Sequence, residues 1–246
     1  MSTSNLLEQI REYWDEDAST YDDSPQHRPR DPAVMAAWTA ALEQLLGPPA
    51  RVLDCGAGTG FLSLIAGRLG HRVTALDLSG RMLDRLRGRA RLEGLDIETV
   101  EGPAHEPPGH HDVVMERHLL WTLPDPHLAL RAWRGAAPTG RLVLVESLWG
   151  AADPLTAYRN RARHRIERLR RTAPEHHAEY PESLRSALPL GRGTAPSALV
   201  DSVLAAGWRS PRLRRLRDVE WAERSRLPLP ERLIGTSPRL AVVADA

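Results

Sequence analysis

Asp54, Gly56, Gly58 and Gly60 lie within seven residues in the run Arg51–Gly60, RVLDCGAGTG, and Asp77 follows 23 residues after Asp54. Glycine at alternate positions lets a backbone turn tightly and lets a ligand lie against it. The amphipathic run 61–70 reads as a helix, and its first N–H groups and positive dipole end would face that ligand. Carboxylates at the carboxyl ends of two adjacent strands suit a ligand that carries an amine and ribose hydroxyls. The chemistry is that of a cradle for a nucleotide-like cofactor.

A second group of reactive types follows a later apolar run: Glu116-Arg117-His118-Leu119-Leu120-Trp121. His118 titrates near neutrality and is the first candidate for a general base, and a hydrogen-bonded structural histidine accounts for it equally well. Arg117 either pairs with Glu116 or meets a substrate carboxylate through two N–H bonds. Glu146 ends another apolar run and is placed at the same crevice. Trp14, Trp121 and Trp149 offer flat pocket walls or simple core packing.

Other chemistries are excluded by what is absent. The glycine spacing is Gly-x-Gly-x-Gly, whereas a dinucleotide fingerprint needs the third glycine one residue later, and no Gly-Lys-Ser/Thr follows. Cys55 is the single cysteine, so an intrachain disulfide or a cysteine zinc site is not possible, and the residue is expected to pack as a small apolar group. His105, His110 and His111 sit in a Pro/Gly loop without the spacing of a metal site, so no metal is expected.

These residues need a frame. Short apolar strands are expected over 51–54, 72–77, 96–101, 112–116 and 141–146, alternating with helices over 61–69, 80–93 and 126–136. That rhythm argues a parallel, doubly wound α/β sheet. Ahead of it, Leu6, Leu7, Ile10, Tyr13 and Trp14 mark a helix over 5–18, and Asp31-Pro32 starts a second that stops at Gly47. After Trp149 the rhythm breaks into a long helical stretch over 153–172 that carries Tyr158 on its apolar stripe. A helix over 196–206 and two closing strands, 211–221 and 239–244, complete the chain, with an antiparallel hairpin as one arrangement of the strands. The expected organisation is a helical lid (1–48), a core (49–149), a helical cap (150–193) and the end of the core (194–246), all within one structural domain.

The chain has 246 residues, no lysine and a net charge of +1. Residues 1–150 hold 15 Arg against 21 Asp and Glu, and residues 151–246 hold 18 against 11, so −6 faces +7. A basic C-terminal part attracts an anionic substrate or partner, or is a set of solvated helix faces. The acidic N-terminal stretch lacks an apolar segment of the signal-peptide kind, and no apolar run approaches bilayer length, so a cytoplasmic protein is expected.

The run VLDCGAGTGFLSLIAGRLGHRVTALDLSGRML resembles the first two motifs of the class I methyltransferases that use S-adenosylmethionine. The resemblance covers about residues 50–148 and includes Thr139-Gly140-Arg141-Leu142-Val143, similar to that family's Pro-Gly-Gly turn into strand five. It implies a Rossmann-like, mostly parallel seven-stranded sheet with an N-terminal lid and a helical insertion between strands five and six. It assigns Asp54 to the methionine amine and Asp77 to the ribose, with Gly56, Gly58 and Gly60 as the cradle and Leu78 and Met82 as the floor beside the adenine. The N-terminal Tyr13-Trp14 and Tyr21-Asp22 are similar to the family's aromatic lid, which implies Tyr13 and Tyr21 at the cofactor and Tyr21 and His27 near the sulfonium and the acceptor. Glu116 is included with the cofactor contacts, and His118, Tyr21 and Glu116 form the catalytic set. Trp14, His27, Arg117, Trp121, Glu146, Trp149 and Tyr158 form the substrate pocket.

One departure concerns the adenine. The family commonly has Gly-Asp-Ala after strand three, and this chain has Gly102-Pro103-Ala104-His105, which leaves the base to the backbone around Ala104 or to the side chain of His105. The implied activity is methylation of O, N or C of a small, aromatic or anionic metabolite, in specialised metabolism, by a monomer or homodimer. An RNA or protein methyltransferase using the Arg-rich insertion, or a non-catalytic S-adenosylmethionine-binding protein, are the alternatives. Against nucleic acid, the fourth strand lacks an Asn/Asp-Pro-Pro-Tyr/Phe sequence, and one cysteine cannot run a two-cysteine mechanism.

Overall fold

A computed structural model describes residues 3–147, 158, 180–193, 195–234 and 238–246. The chain opens with α1 (Thr3–Asp17), a single 3-10 turn at Tyr21–Asp23 and α2 (Pro32–Leu46). Asp31 caps α2, accepting from the N–H groups of Ala33 at 2.9 Å and Val34 at 3.2 Å, with Pro32 in the first turn. Strand and helix then alternate: β1 (Arg51–Cys55), α3 (Phe61–Arg68), β2 (Arg72–Asp77), α4 (Gly80–Glu93), β3 (Ile97–Glu101) and β4 (Val113–Arg117). A 3-10 turn at Leu120–Thr122 leads to α5 (Pro126–Ala136) and β5 (Arg141–Ser147). The later elements are α6 (Glu182–Ser186), α7 (Pro196–Ala205), β6 (Arg209–Arg215), α8 (Arg217–Arg226), α9 (Leu229–Ile234) and β7 (Arg239–Asp245).

Seven strands form one sheet in the order β3-β2-β1-β4-β5-β7-β6. The first five strands are parallel, and β7 runs antiparallel between β5 and β6. One apolar layer joins α2, α3 and α8 to the sheet through Trp38, Leu42, Ile65 and Val219. On the other face α5 and α7 pack through Leu130, Trp133, Val203 and Trp208. Both faces of the central sheet are covered, as expected for β1, β4 and β5, whose residues are mostly apolar and buried. Edge strand β6 is largely exposed and carries Arg209, Arg212, Arg214 and Arg215, charges that discourage a foreign strand from pairing there.

The fold class matches the expectation, and the closing segment differs from it. The strand expected over 211–221 ends at Arg215, and Trp221 lies on α8 with 72 % of its surface exposed. The reason is a change of period: Val219 and Ala222, three apart, turn to the core beside α2, which a strand could not achieve. The two closing strands do pair antiparallel, but α8 and α9 separate them in the chain, so they are not a tight hairpin. The helical stretch expected over 153–172 falls outside the described residues except for Tyr158. Among the described residues, no helix is long and apolar enough to cross a membrane.

Candidate functional site

Because β1 and β2 are parallel and adjacent, pairing Cys55 with Leu76, their carboxyl ends share one rim of the sheet. Asp77 closes β2. Its Oδ2 accepts the Gly58 N–H at 2.7 Å and its Oδ1 the Ser79 N–H at 2.8 Å, so the carboxylate braces the glycine loop and the start of α4 together. Burial pushes its pKa up to about 6 against the pull of those N–H bonds. Each oxygen keeps further acceptor capacity, and the residue lines an open cleft.

Gly58 has φ +56° and nothing within 4 Å of where a Cβ would stand, so its side-chain position is open space on the cleft wall. Gly60 needs its hydrogen for another reason: with φ +90°, a Cβ there would run into Leu86 of α4. Gly56 also lines the cleft. Asp54 does not. It is 2 % exposed, lies beneath the loop and accepts the Ser63 hydroxyl at 2.5 Å, and burial lifts its pKa to about 7.

Leu78 and Met82 line the cleft as expected, and the Ser79 hydroxyl caps α4 by accepting the Met82 N–H at 3.1 Å. Gly102, Pro103, Ala104 and His105 form a further wall. The Ala104 carbonyl is already engaged, taking the indole N–H of buried Trp133 at 2.7 Å, which fixes this loop from the α5 side. Leu119, Thr122, Leu123 and Leu128 extend the wall, and nothing in their types singled them out.

The N-terminal segment is fastened over the glycine loop by polar groups that are mostly buried. Asp22 accepts the Thr59 hydroxyl at 2.7 Å and forms an ion pair with Arg89 of α4, and Arg89 also donates to the Thr59 carbonyl at 2.8 Å. Ser79 donates to Asp15 at 2.6 Å, and Arg85 to the Ala18 carbonyl at 3.0 Å. This latch brings Trp14 and Tyr21 to the cleft. Tyr13 instead packs edge-on against Trp14 and Tyr180, with ring centroids 4.9 and 4.6 Å away, and Trp121 packs on Tyr180 at 5.2 Å. Tyr180, absent from the expected site, is the hub of that aromatic cluster.

The other end of the cleft is built by the end of β4. Arg117 stacks on Phe61 at 4.2 Å, approaches Trp38 at 5.5 Å and donates through Nη2 to the carbonyls of Gln26 and His27. Tyr21 stacks on His27 with centroids 3.9 Å apart, and the His27 Nδ1 lies 2.8 Å from the Tyr21 carbonyl. Burial lifts the Tyr21 phenol's pKa while Arg117 beside it opposes the rise.

His118 follows with φ +59°, a left-handed conformation that costs about 1 kcal/mol in a side chain of this size. Its Nδ1 is 3.3 Å from Glu146 Oε2, and its Nε2 is 3.2 Å from Arg239 Nη1. A guanidinium only donates, so Nε2 carries the lone pair, Nδ1 carries the proton, and the imidazole is neutral. Burial and the nearby Arg239 and Arg117 charges hold its pKa well below the usual histidine range. The nitrogen expected to take a proton is thus engaged by Arg239, which is itself paired with Glu223 at 3.2 Å.

Glu116 is fully buried and turned away from the cleft. Its Oε2 accepts the Leu119 N–H at 2.7 Å, its Oε1 has no partner among the described residues, and burial lifts its pKa to about 8. Glu146 is pushed well above the carboxylate range, first by burial and then by Glu116.

Of the expected site, Trp14, Tyr21, Gly56, Gly58, Asp77, Leu78, Met82, Ala104, His105, Arg117 and His118 meet at one cleft. Asp54, Gly60, Glu116, Glu146, His27, Tyr13 and Trp121 stand behind that lining as supports. Tyr158 is 65 % exposed, and Trp149 falls outside the described residues. Sequence reasoning missed Arg239, Glu223, Asp22 and Arg89. The nearest signal was Asp22 beside Tyr21, since the partners of all four are remote in the chain. No cluster of metal-ligating side chains occurs among the described residues.

Residues 53–144 match the family model of a methyltransferase domain. Ubiquinone biosynthesis O-methyltransferase of Xanthomonas campestris is 36% identical over 109 residues, 41% of this chain and 44% of that protein. The Bordetella parapertussis protein of the same name is 36% identical over 102 residues, 40% and 42% of the two chains. The match thus spans less than half the length of these relatives. Among solved structures, geranyl diphosphate C-methyltransferase from Streptomyces coelicolor superposes with a TM-score of 0.65 at 14% identity, covering 98% of this chain and 97% of that one. The Burkholderia thailandensis 1,6-didemethyltoxoflavin-N1-methyltransferase gives 0.61 at 20% identity, with 100% and 91% covered. At these identities the two structures speak for the fold.

Proposed function

The chain has the core of a class I S-adenosylmethionine-dependent methyltransferase, and on that premise we propose that it binds this cofactor at the glycine loop and methylates a small metabolite. The observation that carries the reading is Asp77, braced by the Gly58 and Ser79 N–H groups, beside an open Gly58 wall on the same cleft. In this reading Asp77 holds the ribose hydroxyls, Met82 and Leu78 floor the adenine, and the Ala104–His105 loop walls it.

The cofactor supplies an electrophilic methyl group on a sulfonium, and the protein's task is alignment of the acceptor opposite it. Trp14 and Tyr21 wall the acceptor, and Arg117 orients it. His118, neutral and tied to Glu146 and Arg239, positions the turn after β4, and Glu116 holds the next turn through the Leu119 N–H. Residues 3–48 are taken as the lid of this site, with Tyr180 packed against Tyr13 and Trp14. The O-methyltransferase relatives support oxygen as the acceptor atom.

Calorimetric titration with S-adenosylhomocysteine tests the cofactor assignment. Saturable binding is expected, weakened at least about tenfold by Asp77→Ala, the loss of a hydrogen bond to a charged group. No binding by the wild-type protein, or equal binding by the variant, would overturn it.

A further inference from the structure

Arg117 is a cation without a counterion in the described structure. Its guanidinium faces are covered by Phe61 and Trp38, and its hydrogen bonds go to neutral groups, the carbonyls of Gln26 and His27 from Nη2 and the Tyr21 phenol. Among the described residues no carboxylate lies within ion-pair distance of it. The acids nearby are committed elsewhere: Glu223 pairs with Arg239, Asp54 takes the Ser63 hydroxyl, and Glu146 meets His118. Burial therefore weighs against this charge, and its pKa is lowered, with Arg239 adding to the effect.

Retaining an uncompensated guanidinium in a partly dry site is costly unless an anion arrives. Arg117 lines the cleft beside Tyr21 and Trp14, with the Tyr21 phenol hydrogen-bonded to its guanidinium. A guanidinium edge offers parallel N–H bonds suited to a carboxylate or to a single phenolate oxygen.

We propose that Arg117 anchors an ionised oxygen of the acceptor, so that the acceptor class is an organic anion, a carboxylate or an acidic phenol, flat enough to lie between Trp14 and Tyr21. This rests on the methyltransferase reading above. A purely structural Arg117, clamping the 26–27 carbonyls, is the alternative outcome.

The test uses the wild-type protein saturated with S-adenosylhomocysteine. It is titrated with benzoate against benzamide, and with 4-nitrophenolate against 4-nitroanisole near pH 8. At least one anion is expected to bind about tenfold or more tightly than its neutral isostere, and the pair that discriminates identifies carboxylate or phenolate. Arg117→Met is expected to abolish the preference, and Arg117→Lys to restore part of it. Equal affinity of anion and isostere, no binding of either anion, or a preference that survives Arg117→Met would each overturn the proposal. If S-adenosylhomocysteine itself fails to bind, the cofactor reading fails. If it binds and no anion is preferred, only the acceptor inference fails. The isostere comparison in the wild-type protein needs no variant to fold.

Discussion

Asp77→Asn is expected to weaken S-adenosylhomocysteine binding strongly at pH 8 and much less at pH 5. Burial lifts the Asp77 carboxyl to about 6 in the ligand-free protein. The ionised carboxylate is the form that accepts hydroxyl protons at both oxygens while still holding the Gly58 and Ser79 N–H groups. If that form alone binds fully, the wild-type affinity follows the ionised fraction. That fraction is nearly complete at pH 8 and about one-tenth at pH 5, roughly a tenfold loss of affinity. Asparagine does not titrate. The ratio of dissociation constants, variant over wild type, should therefore be at least about tenfold at pH 8, from one lost hydrogen bond to a charged group, and should shrink about tenfold on going to pH 5. Asp54, whose pKa of about 7 is raised by burial and in part by the Asp77 charge, titrates lower in the variant, so both proteins are compared in an Asp54→Asn background. Calorimetry at four pH values and constant ionic strength measures the ratio. A ratio that stays flat, or grows toward low pH, would refute both the role of the ionised carboxylate and its raised pKa.

Three further outcomes follow from named contacts. Glu116 is raised above its unfolded value, so its contribution to folding is fully present below about pH 4 and is lost as pH rises through about 8. Glu116→Gln should therefore unfold at a higher temperature than wild type above pH 8 while the difference narrows near pH 6, and parallel melting curves across that range would count against it. Asp22→Asn breaks the pair with Arg89 and should cost roughly 3 kcal/mol in denaturant unfolding. It should also speed limited proteolysis between residues 18 and 31, and an unchanged cleavage rate would mean that the latch does not hold the segment. His118→Ala should slow turnover more than it weakens S-adenosylhomocysteine binding, and Ser147→Ala, which removes only a hydroxyl beside the same imidazole, should do less; equal effects on rate and binding would remove His118 from the positioning of the acceptor.

What was legible in the chain was local. Asp31-Pro32 and Gly47 bound α2 because cap chemistry acts within a few residues, and both ends were read where they stand. The glycine loop and Asp77 were readable because a strand, a turn and a helix lie contiguous in sequence. The supports of the site were not readable, because each joins remote positions: Asp22 to Thr59 across 37 residues, His118 to Arg239 across 121. Trp221 was misread because alternating Arg and apolar residues mimic a strand until Val219 and Ala222 set a helical period. The place of Asp54 before the glycines did not announce that its Oδ2 accepts the Ser63 hydroxyl of α3.

The position of β7 has a consequence for biosynthesis. The parallel strands β1 to β5 are complete once Ser147 has been made, and each has a neighbour with which to pair at that stage. Among the described strands β6 has none, because its partner there is β7, and β7 is translated after it. On the ribosome the Arg-rich strand must therefore wait, solvated and unpaired, through the synthesis of α8 and α9. Its charge keeps that waiting strand soluble, and the arrival of residues 239–245 zips two strand pairs at once, which makes closure of the sheet a late, concerted event in the life of the nascent chain.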